Sequence, residues 1–330
     1  MTGLLTIIFI IVIHEFGHFI AGKLLHVPVY EFAVGMGPKI VSKKFKSETT
    51  YSLRAIPIGG FCSFDTGDIT GIQDTALYKQ PIWKRIIIYA AGAAMNILTA
   101  FIVAVVIVST IGNQVGTNKI ESVADERADS FFQPGDEIIS IGAFNVSTYD
   151  EISEAVKASI DDGKIQVSVM RGGEQIDGAV QLFEVNGEWK MGVVLLNGYQ
   201  KSAHPIRDAA DTCAAAGKSV FQALGGLLSG SVKTKDMSGI VGIATTINAG
   251  AKYGIMNVLY FFVLLSINIG IFNLLPLPVL DGSKILLSIY EAIFKKRIPE
   301  KIEENVTFFF AIAMIVFMVY ITFNDVLKLI

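Results

Sequence analysis

The apolar run from about Leu4 to Leu25 carries three ionisable groups near its middle, in the order His14-Glu15-Phe16-Gly17-His18. On a helix, His14 and His18 lie one turn apart, so both imidazoles project from one face toward a single divalent cation. Glu15 sits about 100° round from His14 and about 60° from His18, within reach of a water activated there, the place of a general base and not of a ligand. Gly17 and Ala21 fall near the same face and leave room for another segment to approach. A charged group at the centre of a membrane helix costs about 2.5–3.5 kcal/mol on translocon scales. Three adjacent ionisable groups there imply a function.

A cleaved signal peptide wants a basic beginning, a short apolar core and a small-residue cleavage site. Met1 to Ile13 holds no basic residue, and the run meets the roughly 20 residues needed to span a bilayer. It is expected to be a retained transmembrane helix. Across the 330 residues, 52% are hydrophobic and only 17% charged, against about 25% charged in soluble domains. That composition marks a polytopic membrane protein. A net charge of −3 gives no sign of nucleic-acid binding, and two distant cysteines, Cys62 and Cys213, do not indicate a disulfide framework.

Lys23, Lys39, Lys43, Lys44, Lys46 and Arg54 follow the first run. Basic residues concentrate on cytoplasmic loops, so this segment is expected inside and the N-terminus outside, with the His pair nearer the inner face. Within residues 29–61 the pattern is β-like, broken by Gly35, Gly37, Pro38 and the turn Ile56-Pro57-Ile58-Gly59-Gly60-Phe61. These hairpins either dip into the membrane beside the first helix and offer an edge strand to an extended substrate, or only pack as a small cytoplasmic element. Residues 62–80 read as a polar linker. Ile86 to Ile111 is a second span; its Asn96 is either helix–helix glue or faces the metal site.

Residues 113–200 change character and read as an extracytoplasmic α+β domain. Gln133-Pro134-Gly135-Asp136 turns into a strand, and Thr148-x-x-Glu151 is a capping box opening a helix to about Ser159. Ile165 to Met170 alternates as a strand, Arg171-Gly172-Gly173-Glu174 turns, and Asn186-Gly187 marks a hairpin. This order resembles a PDZ domain. From His204 to about Leu228 an amphipathic helix is expected along the outer membrane surface, followed by a Gly-punctuated connector, Ser238 to Ile243. A third span, about Ile255 to Leu275, ends in Asn273-Leu274-Leu275-Pro276-Leu277-Pro278-Val279-Leu280-Asp281-Gly282. Its prolines break the helix and put Asp281 at the inferred depth of His14 and His18. A carboxylate beside two histidines is a usual third zinc ligand. Val306 to Phe323 is the fourth span. The parts are thus 1–112 (two spans with the hairpin element), 113–200 (the PDZ-like domain) and 201–330 (a surface helix and two spans).

Together these motifs resemble the site-2 proteases, bacterial zinc metalloproteases of regulated intramembrane proteolysis, over nearly the whole chain. The resemblance implies Zn2+ held by His14, His18 and Asp281, with Glu15 activating water. It implies substrate contacts from Asn96, Asn268, Asn273 and the Ile58-Gly59-Gly60 hairpin end. It also implies a multi-pass protein of the bacterial inner membrane that cleaves single-span substrates within the bilayer, on the cytoplasmic side, of the anti-sigma-factor or remnant-signal-peptide type. The sequence departs from the family's Gly-Pro-x-x-Asn at Gly92-Ala93-Ala94-Met95-Asn96, and Ser283 stands where a second glycine is common. Two other functions use similar residues. A metal transporter also lines its path with histidines and carboxylates, but no inverted repeat accompanies them here. A non-catalytic scaffold would have no use for Glu15.

Overall fold

A computed structural model describes residues 1–44, 49–64, 75–123, 125, 130–185, 188–231, 238–252 and 254–329. The chain divides into two compact units, Met1–Ile107 with Ile206–Ile330, and Val108–Pro205.

Four helices of the first unit are long and apolar enough to cross a membrane: α1 (Thr2–Leu24), α3 (Ile82–Thr110), α7 (Ile255–Leu274) and α9 (Glu300–Leu329). α1 stops at Leu25, and the Lys84 ammonium at the start of α3 donates to the Leu25 carbonyl at 3.0 Å. The two helices therefore begin and end at one level. Gly17 lets the two helices approach closely: a Cβ there would lie 2.3 Å from the Ala91 carbonyl oxygen. Small residues let helix backbones meet in this way without a hydrophobic driving force, as the sequence anticipates for this face of α1.

Between α1 and α3 run two long bent strands, β1 (Glu31–Lys44) and β2 (Thr50–Ser63). Each folds back, so that they pair as four segments. Residues 41–44 run antiparallel to 50–53, which run parallel to 31–34, which run antiparallel to 60–63. Gly35 and Gly37, at φ +84° and +83°, supply the bend that a side chain would resist. Glu31 ties the layers, accepting from Arg54 at 2.8 Å and pairing with Lys39 at 3.0 Å. The 60–63 segment forms one edge of this sheet among the described residues, and 41–44 the other. Of the linker expected over 62–80, Cys62 and Ser63 extend β2 and α2 spans Thr75–Tyr78, while 65–74 lie outside the described residues.

The second unit is a sheet in the order β10 (Val193–Gln200), β3 (Asn113–Val123), β4 (Glu137–Ile141), β6 (Lys164–Arg171), β7 (Glu174–Gln181), with β5 (Phe144–Asn145) beside β4 and a separate pair, β8 (Phe183–Val185) with β9 (Glu188–Lys190). The expected capping box is present: α4 (Tyr149–Ser159) opens with Glu151 N–H donating to Thr148 Oγ1 at 3.4 Å and Thr148 N–H to Glu151 Oε2 at 3.1 Å. The Asn186-Gly187 turn lies outside the described residues. Ile120, Ile138, Ile141 and Val169 fill the core at 1% exposure or less. Asp136, fully buried, takes Arg171 in a two-pronged pair at 2.7 Å each. That guanidinium holds the Asp136 carboxyl below the usual carboxylate range.

α5 (Pro205–Ser229) matches the expected amphipathic helix. Three other segments differ from the sequence reading. The connector is a helix, α6 (Ile240–Ala251); the amides of its N-cap residue Gly239 and of Gly242 in its first turn donate to the buried Asp325 carboxylate of α9 at 2.8 Å each. A cap supplied from 83 and 86 residues away leaves no local signature. The residues after Asp281 form a helix, α8 (Asp281–Phe294), and α9 extends beyond 306–323 at both ends.

Candidate metal centre

Two elements deliver the expected donor set. α1 presents His14 and His18, and the first turn of α8 presents Asp281. His14 Nε2 lies 3.0 Å from Asp281 Oδ2, His18 Nε2 lies 3.2 Å from the same oxygen, and the two Nε2 atoms are 3.2 Å apart. Tetrahedral zinc with bonds of about 2.0–2.1 Å requires ligand atoms about 3.3 Å apart. The triangle fits that requirement on all three sides. No other group of three metal-binding side chains converges in this way among the described residues.

The far nitrogens are held as metal ligation needs. His18 Nδ1–H donates to the Ile88 carbonyl at 2.7 Å, which leaves Nε2 with its lone pair toward the cluster. The Asn96 side-chain amide lies 3.5 Å from His14 Nδ1, and Asn96 Oδ1 is buried with no partner among the described residues. Turning the amide over puts Oδ1 against Nδ1–H, satisfies that oxygen and frees His14 Nε2 for the metal. Asn96 is fully buried. It stands behind a ligand and does not line the cavity in front of the metal.

Two glycines make room. A Cβ on Gly92 of α3 would sit 2.3 Å from His18 Nε2 and 2.7 Å from His14 Nε2. A Cβ on Gly282 would sit 2.3 Å from both the Leu274 and Leu275 carbonyl oxygens. The α7–α8 corner is therefore tight. Val279 takes φ +88° within it, a conformation that costs a β-branched residue about 1–3 kcal/mol. The prolines the sequence singles out break α7, but Gly282 is what lets the next helix start against the broken end.

A cavity of about 430 Å³ opens in front of the triad. Glu15, Gly59, Gly60 and Asn273 line it, and the Cys62 amide hydrogen-bonds the Glu15 carboxylate. A Cβ on Gly60 would come within 3.4 Å of Glu15 Cγ. Thus the 60–63 edge of the sheet runs beside the expected base. Asn273 Nδ2 donates back to Ile269 O at 2.9 Å. Asn268 does not line the cavity, and its Oδ1 is buried with no partner among the described residues. The side chain of Ile58 lies outside the described ones. Sequence reasoning missed Ile88, which acts through its carbonyl and so leaves no signature, and Lys284, which also lines the cavity. Only its spacing of three from Asp281 would have revealed it.

A His-Glu-x-x-His helix and a distant aspartate, joined in a unit of membrane-length helices, define a metallopeptidase of the membrane. The comparisons agree. The profile of Peptidase family M50 matches residues 2–318, and the chain belongs to that family. It is similar to three curated proteins, each named "Putative zinc metalloprotease". The one from Fusobacterium nucleatum is 31% identical over 100% of this chain and 99% of its own length. Those from Campylobacter jejuni and Clostridium perfringens are 29% and 30% identical over 94% or more of each chain. The protein is a zinc metalloprotease with four apolar helices of membrane length among the described residues.

Proposed function

We propose that this protein cleaves single-span membrane substrates, of the anti-sigma-factor or remnant-signal-peptide type, inside the bilayer near its cytoplasmic face. The observation that carries the reading is the convergence of His14, His18 and Asp281 within 3.2 Å of one another, with both histidines on a helix of membrane length. These three are the proposed zinc ligands. When bound, zinc supplies Lewis acidity that polarises a carbonyl and makes water a nucleophile near neutral pH. The Glu15 carboxylate takes the proton of the attacking water and hands it to the leaving amine as the C–N bond breaks.

A helical peptide bond is shielded by its own hydrogen bonds, so the substrate must unwind. The 60–63 edge, with Gly59 and Gly60 beside Glu15, is the proposed partner for the extended strand, with main-chain bonds giving affinity whatever the side chains. Ile58 belongs to the same hairpin end, and Asn273 reaches the cavity from α7. Asn268 is a proposed holder of substrate on the resemblance alone, because its side chain does not line the cavity. Asn96 orients His14. Lys23 ends α1 and Lys84 bonds the Leu25 carbonyl just beyond it, with Lys39, Lys43 and Lys44 following in the sequence; this supports a cytoplasmic placement of that end by the positive-inside rule. Residues 113–200 then lie outside the cytoplasm as a PDZ-like domain in a bacterial inner-membrane protein. The division 1–112, 113–200 and 201–330 follows from this topology.

The test is the Glu15→Gln protein with a single-span substrate in detergent. It is expected to keep its zinc, bind the substrate and leave it intact, while the wild type cuts within the span. Cutting by Glu15→Gln at the wild-type rate would remove Glu15 from the mechanism.

A further inference from the structure

The turn of α8 that delivers Asp281 delivers a second charged group. Lys284 lies three residues on, where helix geometry places it on the same face, and it lines the metal cavity. Its ammonium rests 5.5 Å from the centroid of the Tyr89 ring of α3, next to Ile88, whose carbonyl holds His18. Among the described residues no carboxylate pairs with it. A second cavity of about 470 Å³ lies alongside, walled by Pro276, Leu286, Ile302 and Val306 together with the polar Glu303 and Thr307. Lys284, Val279 and Cys62 line both cavities. Among the described residues, a cation with no carboxylate partner thus stands at the junction of the metal cavity and its neighbour.

Charge arithmetic gives it a use. Zinc carries two positive charges, and Asp281 and Glu15, when ionised, carry one negative charge each. The centre is therefore neutral before reaction. Hydrolysis adds water's hydroxyl to the carbonyl carbon and its proton to the leaving nitrogen, so the broken bond yields an amine and a new carboxylate. That carboxylate is a good metal ligand, and left there it would block the next turnover. We propose that Lys284 is a product-positioning residue: it binds the carboxylate at the new C-terminus of the fragment and draws it off the metal toward the second cavity. A cation–π contact holds an ammonium without neutralising it, which leaves Lys284 free to take an anion. The proposal rests on the proteolytic reading above.

The test uses the full-length, zinc-loaded Glu15→Gln protein in detergent. The probes are N-terminally labelled Leu-Ala-Leu-Phe peptides ending either in a free carboxylate or in a carboxamide. Fluorescence anisotropy gives each Kd, and metal analysis verifies equal zinc content. Lys284→Met is expected to weaken the carboxylate peptide about tenfold, the scale of one charge-assisted hydrogen bond at a partly exposed site. It is expected to leave the carboxamide peptide within about twofold. Lys284→Arg is expected to restore the carboxylate preference, which a structural role for the side chain would not produce. Equal losses for both peptides in Lys284→Met, or a carboxylate preference that survives the change, overturns the proposal. A preference that behaves as expected in a chain whose zinc-loaded wild type cleaves no membrane substrate refutes the proteolytic reading instead, and the product role with it.

Discussion

Gly92→Ala is the smallest change that should disable the metal centre without touching a ligand. The added methyl would lie 2.3 Å from His18 Nε2 and 2.7 Å from His14 Nε2. Ordinary contact needs about 3.4 Å or more, so one or both rings must retreat by roughly 1 Å, whereas a zinc site tolerates about 0.2 Å in its bond lengths. Overpacking of this kind typically costs about 1–3 kcal/mol. Because the nearest atoms are the donor atoms themselves, most of that cost should fall on the metal-bound state. The expected effect is a loss of zinc affinity of about 10- to 100-fold, since 1.4 kcal/mol is a factor of ten. Chelator competition on purified protein measures it, with far-UV circular dichroism to verify that α3 still folds. Unchanged zinc affinity in a folded Gly92→Ala protein would refute the placement of both histidines against α3.

Three further outcomes follow from the geometry. Asn96→Ala removes the group that fixes the His14 ring, and supporting groups of this kind are worth about 10- to 100-fold in metal affinity; titration with a zinc chelator reads the loss. Gly282→Ala would press a methyl to 2.3 Å from two carbonyl oxygens at the α7–α8 corner, so Asp281 should shift and hydrolysis fall at least tenfold while α1 keeps its fold, as a substrate assay with circular dichroism would register. In the 108–205 unit, Arg171 depresses the Asp136 pKa, so the pair's contribution is present at neutral pH and is lost as pH falls from about 4 through the lower folded-state value. Asp136→Asn should cost about 2–3 kcal/mol at pH 7, less than a fully buried pair because the Arg171 side chain is 27% exposed. It should also flatten the acid dependence, followed through Trp189 fluorescence in a Trp83→Phe background.

The legible parts of this chain are those whose cause is local. His14 and His18 are read from helical spacing, Thr148 and Glu151 from a four-residue cap, and the 165–170 strand from alternation. Asp281 is read from the proline break before it, because a carboxylate at that depth has few other uses. What escapes is set by distant partners. α6 looks like a connector because its glycines, one of which is the cap residue itself, are weak helix formers, and its stabilising carboxylate comes from Asp325. α8 follows so closely on two prolines that its start depends on Gly282 fitting under α7. Gly92 carries no mark in the sequence of the imidazoles it makes room for. The sheet between α1 and α3 is visible as two β-like stretches, but the double folding of each strand that brings 60–63 to Glu15 depends on positive φ at glycines and on the buried Arg54–Glu31 pair.

X-ray absorption at the zinc edge of the full-length protein tests the donor set most directly. Two imidazoles and oxygen at about 2.0–2.1 Å are expected, with one imidazole lost in His18→Ala and the oxygen shell altered in Asp281→Ala. A zinc environment containing sulfur, or one that Asp281→Ala leaves unchanged, would contradict the joining of α1 and α8 around one ion.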